Sequence, residues 1–315
     1  MSRTLIIKTI ALAVASVISA LIYGIILRSF LNAGSWGLLG LLVAAIIIFM
    51  AAVLMQSFFI NNFLISLAIF AADAIIIMAV FADKLSILML LAGLGMIALF
   101  SSAYYGAKLE LKNNLDIRFF KVSHGVMRAA SSALAIFAIA TYLSVLNLRD
   151  PQEAREALAV ALKPIEPITA AYIPNFKSTD TLVSIASKIM PEDVRLSSQA
   201  NQREFIAQSS ARLSAVIAGY IKVAVSPNDS VLDIVYRATV AKLLKLSPTL
   251  QLISLLGVGF AAFFVIKFFL IFINWIAITL AFGIYQLLWS AEFFKISFES
   301  KTKKVIILDS EAKPQ

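Results

Sequence analysis

Residues 37–81 are apolar almost without interruption. That run is about twice the ~20 residues one helix needs to cross a ~30 Å hydrocarbon core. Two helices must share it, and the cluster Gln56, Ser57, Asn61 and Asn62 marks the expected break. Hydrocarbon offers no partner for backbone N–H and C=O groups, so a run of this kind spans as helix. Composition agrees. The chain has 315 residues, 61% of them hydrophobic, against about 45–50% in soluble domains. Its mean hydropathy is +0.91.

Other runs extend the pattern. Residues 5–27 exceed the roughly 7–15-residue apolar core of a signal peptide. Arg28 stands where a small-residue cleavage site would be needed, so this run reads as an uncleaved span. Ala82, Asp83 and Lys84 make a turn, residues 85–105 a span ending in Tyr104 and Tyr105, and residues 129–148 another. The final block, residues 248–289, is again too long for one simple crossing. It predicts a hairpin with a break between Lys267 and Asn274. The expected fold is all-α: a polytopic helical membrane protein of about seven spans with an inserted, small helical extramembrane domain. Its parts are a membrane block of about five helices at residues 1–148, a polar domain at 149–247, a hydrophobic hairpin at 248–292 and a basic tail at 293–315. The two long apolar runs also allow an inverted repeat, a pairing any polytopic chain can show by chance.

Orientation rests on residues 106–128, GAKLELKNNLDIRFFKVSHGVMR. Lys108, Lys112, Arg118, Lys121 and Arg128 stand there against Glu110 and Asp116. Read as a loop, the stretch belongs on the cytoplasmic face and suits contact with anionic lipid. It contributes to a net charge of +9. No nucleic-acid-binding motif accompanies that charge, so membrane orientation explains it. The expected setting is a cell membrane crossed many times, with 149–247 extracytoplasmic. Seven spans would then leave the basic tail (Lys295, Lys301, Lys303, Lys304) outside, against the positive-inside tendency.

Residues 149–247 read as helices. Asp150-Pro151-Gln152-Glu153 is a capping box with proline at the first helical position. Pro164, Pro167 and Pro174 predict a non-helical stretch. Ser178 or Thr179 is a candidate cap for the next helix, and another is expected from about Ser198 to Gly219. That helix carries Phe205, Ile206, Leu213, Val216, Ile217 and Tyr220 on one side. The sequence Ser226-Pro227-Asn228-Asp229 resembles a further cap. In the tail, residues 294–308 have the alternation of a short hairpin.

Chemistry is sparse. The absence of cysteine removes disulfides, thiolate metal sites and cysteine nucleophiles. The only histidine is His124, which leaves no multi-histidine metal site and makes a histidine-based triad improbable. No metal, cofactor or catalytic residue is assigned. Asp73, midway along an apolar span, is the sharpest feature, because an ionised carboxylate there costs several kcal/mol unless paired or hydrated. Lys267 is its natural partner, or else a span-end lysine reaching the headgroups. Asn61 and Asn62 read as a helix end. Asn274, Thr279, Gln286 and Ser290 trace a weakly polar stripe that suits helix contacts better than a pore. The leading functional expectation is a non-catalytic membrane protein whose 149–247 domain binds a protein partner or supports an envelope assembly. The alternative is a small-solute or ion transporter or channel component using Asp73.

Overall fold

The computed structural model describes residues 3–113, 118–145 and 150–294. The expected tail hairpin lies outside them. Among the described residues the chain is helical, with one isolated bridge, Thr181 to Ser230, in place of any strand.

Helix α1 spans Arg3–Ala33, α2 Trp36–Phe59 and α3 Phe63–Val80. The break between α2 and α3 falls where the polar cluster stands. Asn62 caps α3, its Oδ1 accepting the amides of Leu64 at 2.9 Å and Ile65 at 3.3 Å. A short 3₁₀ turn at Ala82–Lys84 leads to α4, Ile87–Asn113. Helix α5 spans Phe119–Val145. The basic stretch is therefore mostly helix. Lys108 and Lys112 ride on the last turns of α4, and Lys121 and Arg128 on α5, with Arg118 just before it. Nothing between 106 and 113 or between 119 and 128 breaks a helix: no proline occurs, and a lone glycine costs only about 1 kcal/mol.

Polar residues then fold into α6, Pro151–Leu162; α7, Glu166–Ala170; α8, Leu182–Lys188; α9, Glu192–Arg195; α10, Gln199–Ile221; α11, Val231–Ala238; and α12, Val240–Leu244. Asp150 caps α6 as expected, and Ser198, where the longest polar helix was expected to begin, caps α10. Other caps differ: Thr181 caps α8 and Ser230 caps α11. The prolines also behave differently from expectation. Pro164 and Pro167 occupy first-turn positions of a 3₁₀ turn and of α7, where a missing N–H costs no bond. Two small apolar clusters hold the segment. Ala154, Tyr236 and Val240 form one, and Leu182, Ile185 and Ile234 the other.

Helix α13 is one rod, Pro248–Ser290, of 43 residues, about 64 Å long. The predicted break between Lys267 and Asn274 is absent. Apolar length sets a minimum for crossing, not a number of crossings. A helix that tilts and overhangs the bilayer uses the surplus, and no proline after Pro248 forces a kink. With the second hairpin goes the inverted-repeat reading. Among the described residues six helices are long and apolar enough to span a membrane, namely α1 to α5 and α13, where about seven were expected. The chain is consistent with a multi-pass membrane protein.

In the bundle α2 is central, touching α1, α4, α5 and α13, while α3 lies between α1 and α4. Phe49 shows why α2 takes that place: fully buried, it stacks on Tyr23 of α1 at 5.8 Å and meets Phe100 of α4 edge-on at 5.9 Å. At one end aromatic rings interlock, with Phe58 on Phe119 at 4.9 Å and Phe119 against Tyr285 at 5.1 Å. Lys8 reaches the Phe293 carbonyl at the same end. At the other end Arg28 pairs with Asp83 at 2.9 Å. There Lys163 Nζ donates to the Ala33 carbonyl at 3.0 Å, and residues 150–247 adjoin the bundle.

Two carboxylates pin the polar segment. Burial opposes ionisation of Asp180, but the Lys188 ammonium and the Lys177 amide outweigh it and hold the carboxyl below its usual range. Asp229 is likewise lowered: the Ser226 amide and Arg237 overcome its burial. A depressed folded-state value contributes stability that is complete above the unfolded pKa, about 3.9, and is lost as pH falls through the folded value. Exchange protection of α8 and α11 should therefore collapse below about pH 4. Asp180→Asn and Asp229→Asn should flatten that acid dependence while lowering protection at neutral pH. Unchanged acid profiles in both variants would contradict the assignment.

Candidate functional site

Asp73 sits on the face of α3 that also buries Phe70, Ala74 and Ile77, and it is 0% exposed. Its Oδ2 accepts the Ser16 hydroxyl of α1 at 2.7 Å. Oδ1 has no hydrogen-bond partner among the described residues. Ser19, one turn on, donates to the Ser16 carbonyl at 2.7 Å. A small polar knot thus ties α1 to α3 inside an apolar bundle. Two clefts are described, of about 430 and 260 Å³, and neither is lined by Asp73. The larger lies along α9 and α10, between Asp193, Ser197, Asn201 and Glu204. The smaller lies where Asn32 and Tyr142 of the bundle face Glu153 and Glu156 of α6.

Lys267 does not pair with Asp73. Its Nζ donates to Ser131 Oγ at 2.7 Å, Ser132 Oγ at 3.0 Å and the Arg128 carbonyl at 3.1 Å, all on α5. The two intramembrane candidates are thus separate features on different helix pairs, with no charge shared between them.

The remaining candidates divide by role. Asn61 Oδ1 accepts from Lys108 Nζ at 2.8 Å, and the same ammonium donates to the Phe58 carbonyl at 2.9 Å. Lys108 therefore caps the end of α2. Lys121 pairs with Glu110 at 2.9 Å and ties α5 to α4. Asn274 is half-buried on α13, its Oδ1 without a partner among the described residues. Gln286 is half-buried, and Thr279 and Ser290 donate to carbonyls of their own helix. His124 meets Trp275 edge-on at 4.9 Å. Lys112, Arg118 and Arg128 are exposed.

No family model matches the chain, and no curated protein or solved structure resembles it significantly. Among the described residues no three acidic or imidazole side chains gather as metal ligands would. The residues that sequence reasoning missed are the hydroxyl partners Ser16, Ser131 and Ser132. Their signal was faint, because small hydroxyls in apolar helices mostly bond their own backbone. Only the meeting of two helices tells them apart.

Proposed function

We propose that the chain is a non-catalytic multi-pass membrane protein whose helical segment 149–247 lies outside the cytoplasm, where it binds a protein partner or supports an envelope assembly. The observation that carries this reading is the set of large apolar side chains that the polar segment leaves exposed. Tyr172, Leu196 and Tyr220 are 84%, 83% and 85% exposed. In α10 the side expected to be core is only half used: Leu213 and Ile217 pack inward, while Val216 and Tyr220 stay on the surface. Large aromatic and aliphatic groups exposed on an otherwise polar unit are what a protein partner covers.

Six crossings favour the orientation. The end of α4, the start of α5, the start of α1 and the end of α13 then share one face. The charge conflict that seven crossings create disappears, and the positive-inside tendency assigns that face to the cytoplasm. The native lack of cysteine makes a direct test possible. Single cysteines at the exposed positions Lys112 and Gln208 are expected to respond oppositely to an impermeant thiol reagent, with Gln208→Cys labelled in intact cells and Lys112→Cys protected. The reverse pattern would overturn the orientation. For the binding reading, detergent capture of partners by the unmodified protein is compared with a Tyr172→Ser, Leu196→Ser, Tyr220→Ser variant. Identical partner sets would sink it.

A second reading keeps Asp73 at the centre of a small-solute or ion transporter. The carboxyl oxygen without a partner supports it, as an intramembrane acid often marks a transport path. Proteoliposome flux that depends on Asp73, in protein that remains folded, would favour this reading over the first.

A further inference from the structure

Most cationic side chains in the six spans have local partners. Lys8 reaches the Phe293 carbonyl, Arg28 pairs with Asp83, and Lys108 is held by Asn61 and the Phe58 carbonyl. Arg128 and Lys267 are different. Lys267 of α13 reaches the Arg128 main-chain carbonyl on α5, and among the described residues no ion pair involves either one. All three Lys267 ammonium protons go to neutral oxygens. Ser131 and Ser132 each pass their own hydroxyl proton to the Arg128 carbonyl, at 3.2 and 2.9 Å, so both are oriented to receive Lys267. The ammonium is fixed and hydrogen-bonded, yet its charge is not neutralised. Arg128 is exposed, and its charge acts on the Lys267 ammonium across the helix pair. Two adjacent cations within the length of a span repel each other at low dielectric, and an anion between them relieves that cost.

We infer that the groove between α5 and α13 binds the phosphate of an anionic membrane lipid, with Arg128 as its hydrogen-bonding contact and the Lys267 ammonium adding its charge beside it. Arg128 lies roughly 13 Å along α5 from the Phe119 end, a depth from which a long side chain reaches toward the headgroups. Lys121, Gly125, Arg128 and Ser132 follow one stripe of α5 from the basic end inward. Gly125 leaves that stripe open, since nothing lies within 4 Å of the position its Cβ would take. On α13, whose Trp275 meets His124 of α5, Phe268, Ile271, Phe272 and Trp275 are exposed and offer an apolar wall to acyl chains. A guanidinium grips a phosphate through two parallel N–H bonds. The open apolar wall selects the lipid-borne phosphate over a free one. A carboxylate on a partner helix would answer the charge but not require the open stripe.

The test uses the full chain with Trp36→Phe and Trp289→Phe, so that Trp275 alone reports. Reconstitution is in vesicles of phosphatidylcholine and phosphatidylglycerol, with brominated acyl chains on one lipid at a time. Brominated phosphatidylglycerol should quench Trp275 with a preference of roughly tenfold over brominated phosphatidylcholine. Arg128→Gln should bring that preference close to unity, Arg128→Lys should keep part of it, and the melting temperature of both should stay near that of the parent. Arg128 is exposed, so the variant leaves the packing intact. Equal quenching by the two lipids, or full preference in Arg128→Gln, would overturn the inference. Loss of quenching on adding inorganic phosphate would also overturn it, by reassigning the site to a free anion. The inference rests on the multi-pass membrane reading but not on which face carries 149–247. The labelling experiment can therefore fail while the lipid preference stands.

Discussion

Replacing Asp73 by arginine is expected to prevent the bundle from assembling, while Asp73→Asn should leave it folded. The position is fully buried and its one bond is to Ser16. An arginine there is an unpaired charge in a packed interior, a defect of about 3–5 kcal/mol or more. Asparagine keeps the shape and still accepts the Ser16 hydroxyl, so its cost should be within about 1 kcal/mol. Asp73→Leu should fall close to asparagine, because Ser16 can turn its hydroxyl to a carbonyl of its own helix. Thermal melting and size-exclusion profiles in detergent check the series. A collapse with asparagine as severe as with arginine would mean that the negative charge itself is required. Because Asp73 and Lys267 have separate partners, a double-mutant cycle between them should add to within about 0.5 kcal/mol.

Gly34→Val should be the most damaging change at the junction of bundle and polar segment. Gly34 ends α1 with φ +60, its amide bonding the Phe30 carbonyl at 2.8 Å. A β-branched side chain strains that backbone by about 1–3 kcal/mol. The junction then adds a collision: a Cβ on Gly34 would stand 2.6 Å from the Val160 carbonyl oxygen and 3.0 Å from Val160 Cγ1. The backbone of α6 cannot swing aside as a side chain can, so α6 must lift from α1. Amide exchange across α6 should accelerate and the melting temperature should fall. Gly37→Ala serves as the control, since nothing lies within 4 Å of its Cβ position, and it should be neutral or mildly stabilising. Unchanged protection of α6 in Gly34→Val would show that the contact does not hold the segment.

What could be read from residues alone depended on local chemistry. The helix break at Asn61 and Asn62, the Asp150-Pro151 start and the beginning of a helix near Ser198 depend on a few neighbouring residues, so the chain announces them. Burial of Asp73 was legible for the same reason, since its neighbours are apolar on every side. Its partner was not. The spans are apolar all round, so periodicity does not say which face meets which helix, and Ser16 looked like any small hydroxyl in a long run. Lys267 posed the same problem in reverse. A charge invites pairing with the nearest opposite charge, but in the fold three neutral oxygens on α5 satisfy it. The continuity of α13 was hidden because hydropathy measures how much chain hydrocarbon tolerates, not how the surplus is disposed. In α10 a helical apolar stripe was correctly seen as a face, but a face can meet a neighbour or be left uncovered, and the pattern is the same in both cases.

The unbroken α13 joins the polar segment to the far end of the bundle through one continuous hydrogen-bonded element. Its first turns are tied to residues beside the polar segment, with Gln251 Nε2 donating to the Leu244 and Leu246 carbonyls at 3.1 and 2.9 Å. Its last turns wedge Tyr285 among the rings of Phe58 and Phe119. A hinged pair of half-helices would dissipate a push at Ser247 in its loop, whereas a hydrogen-bonded rod delivers it to Trp289. Compliance concentrates where side chains are missing, at Gly257 and Gly259 near the overhanging end. A Cβ added at Gly259 would stand 3.6 Å from Ile139 Cγ2 and 3.8 Å from Leu143 Cδ1, so the rod runs close against α5 there.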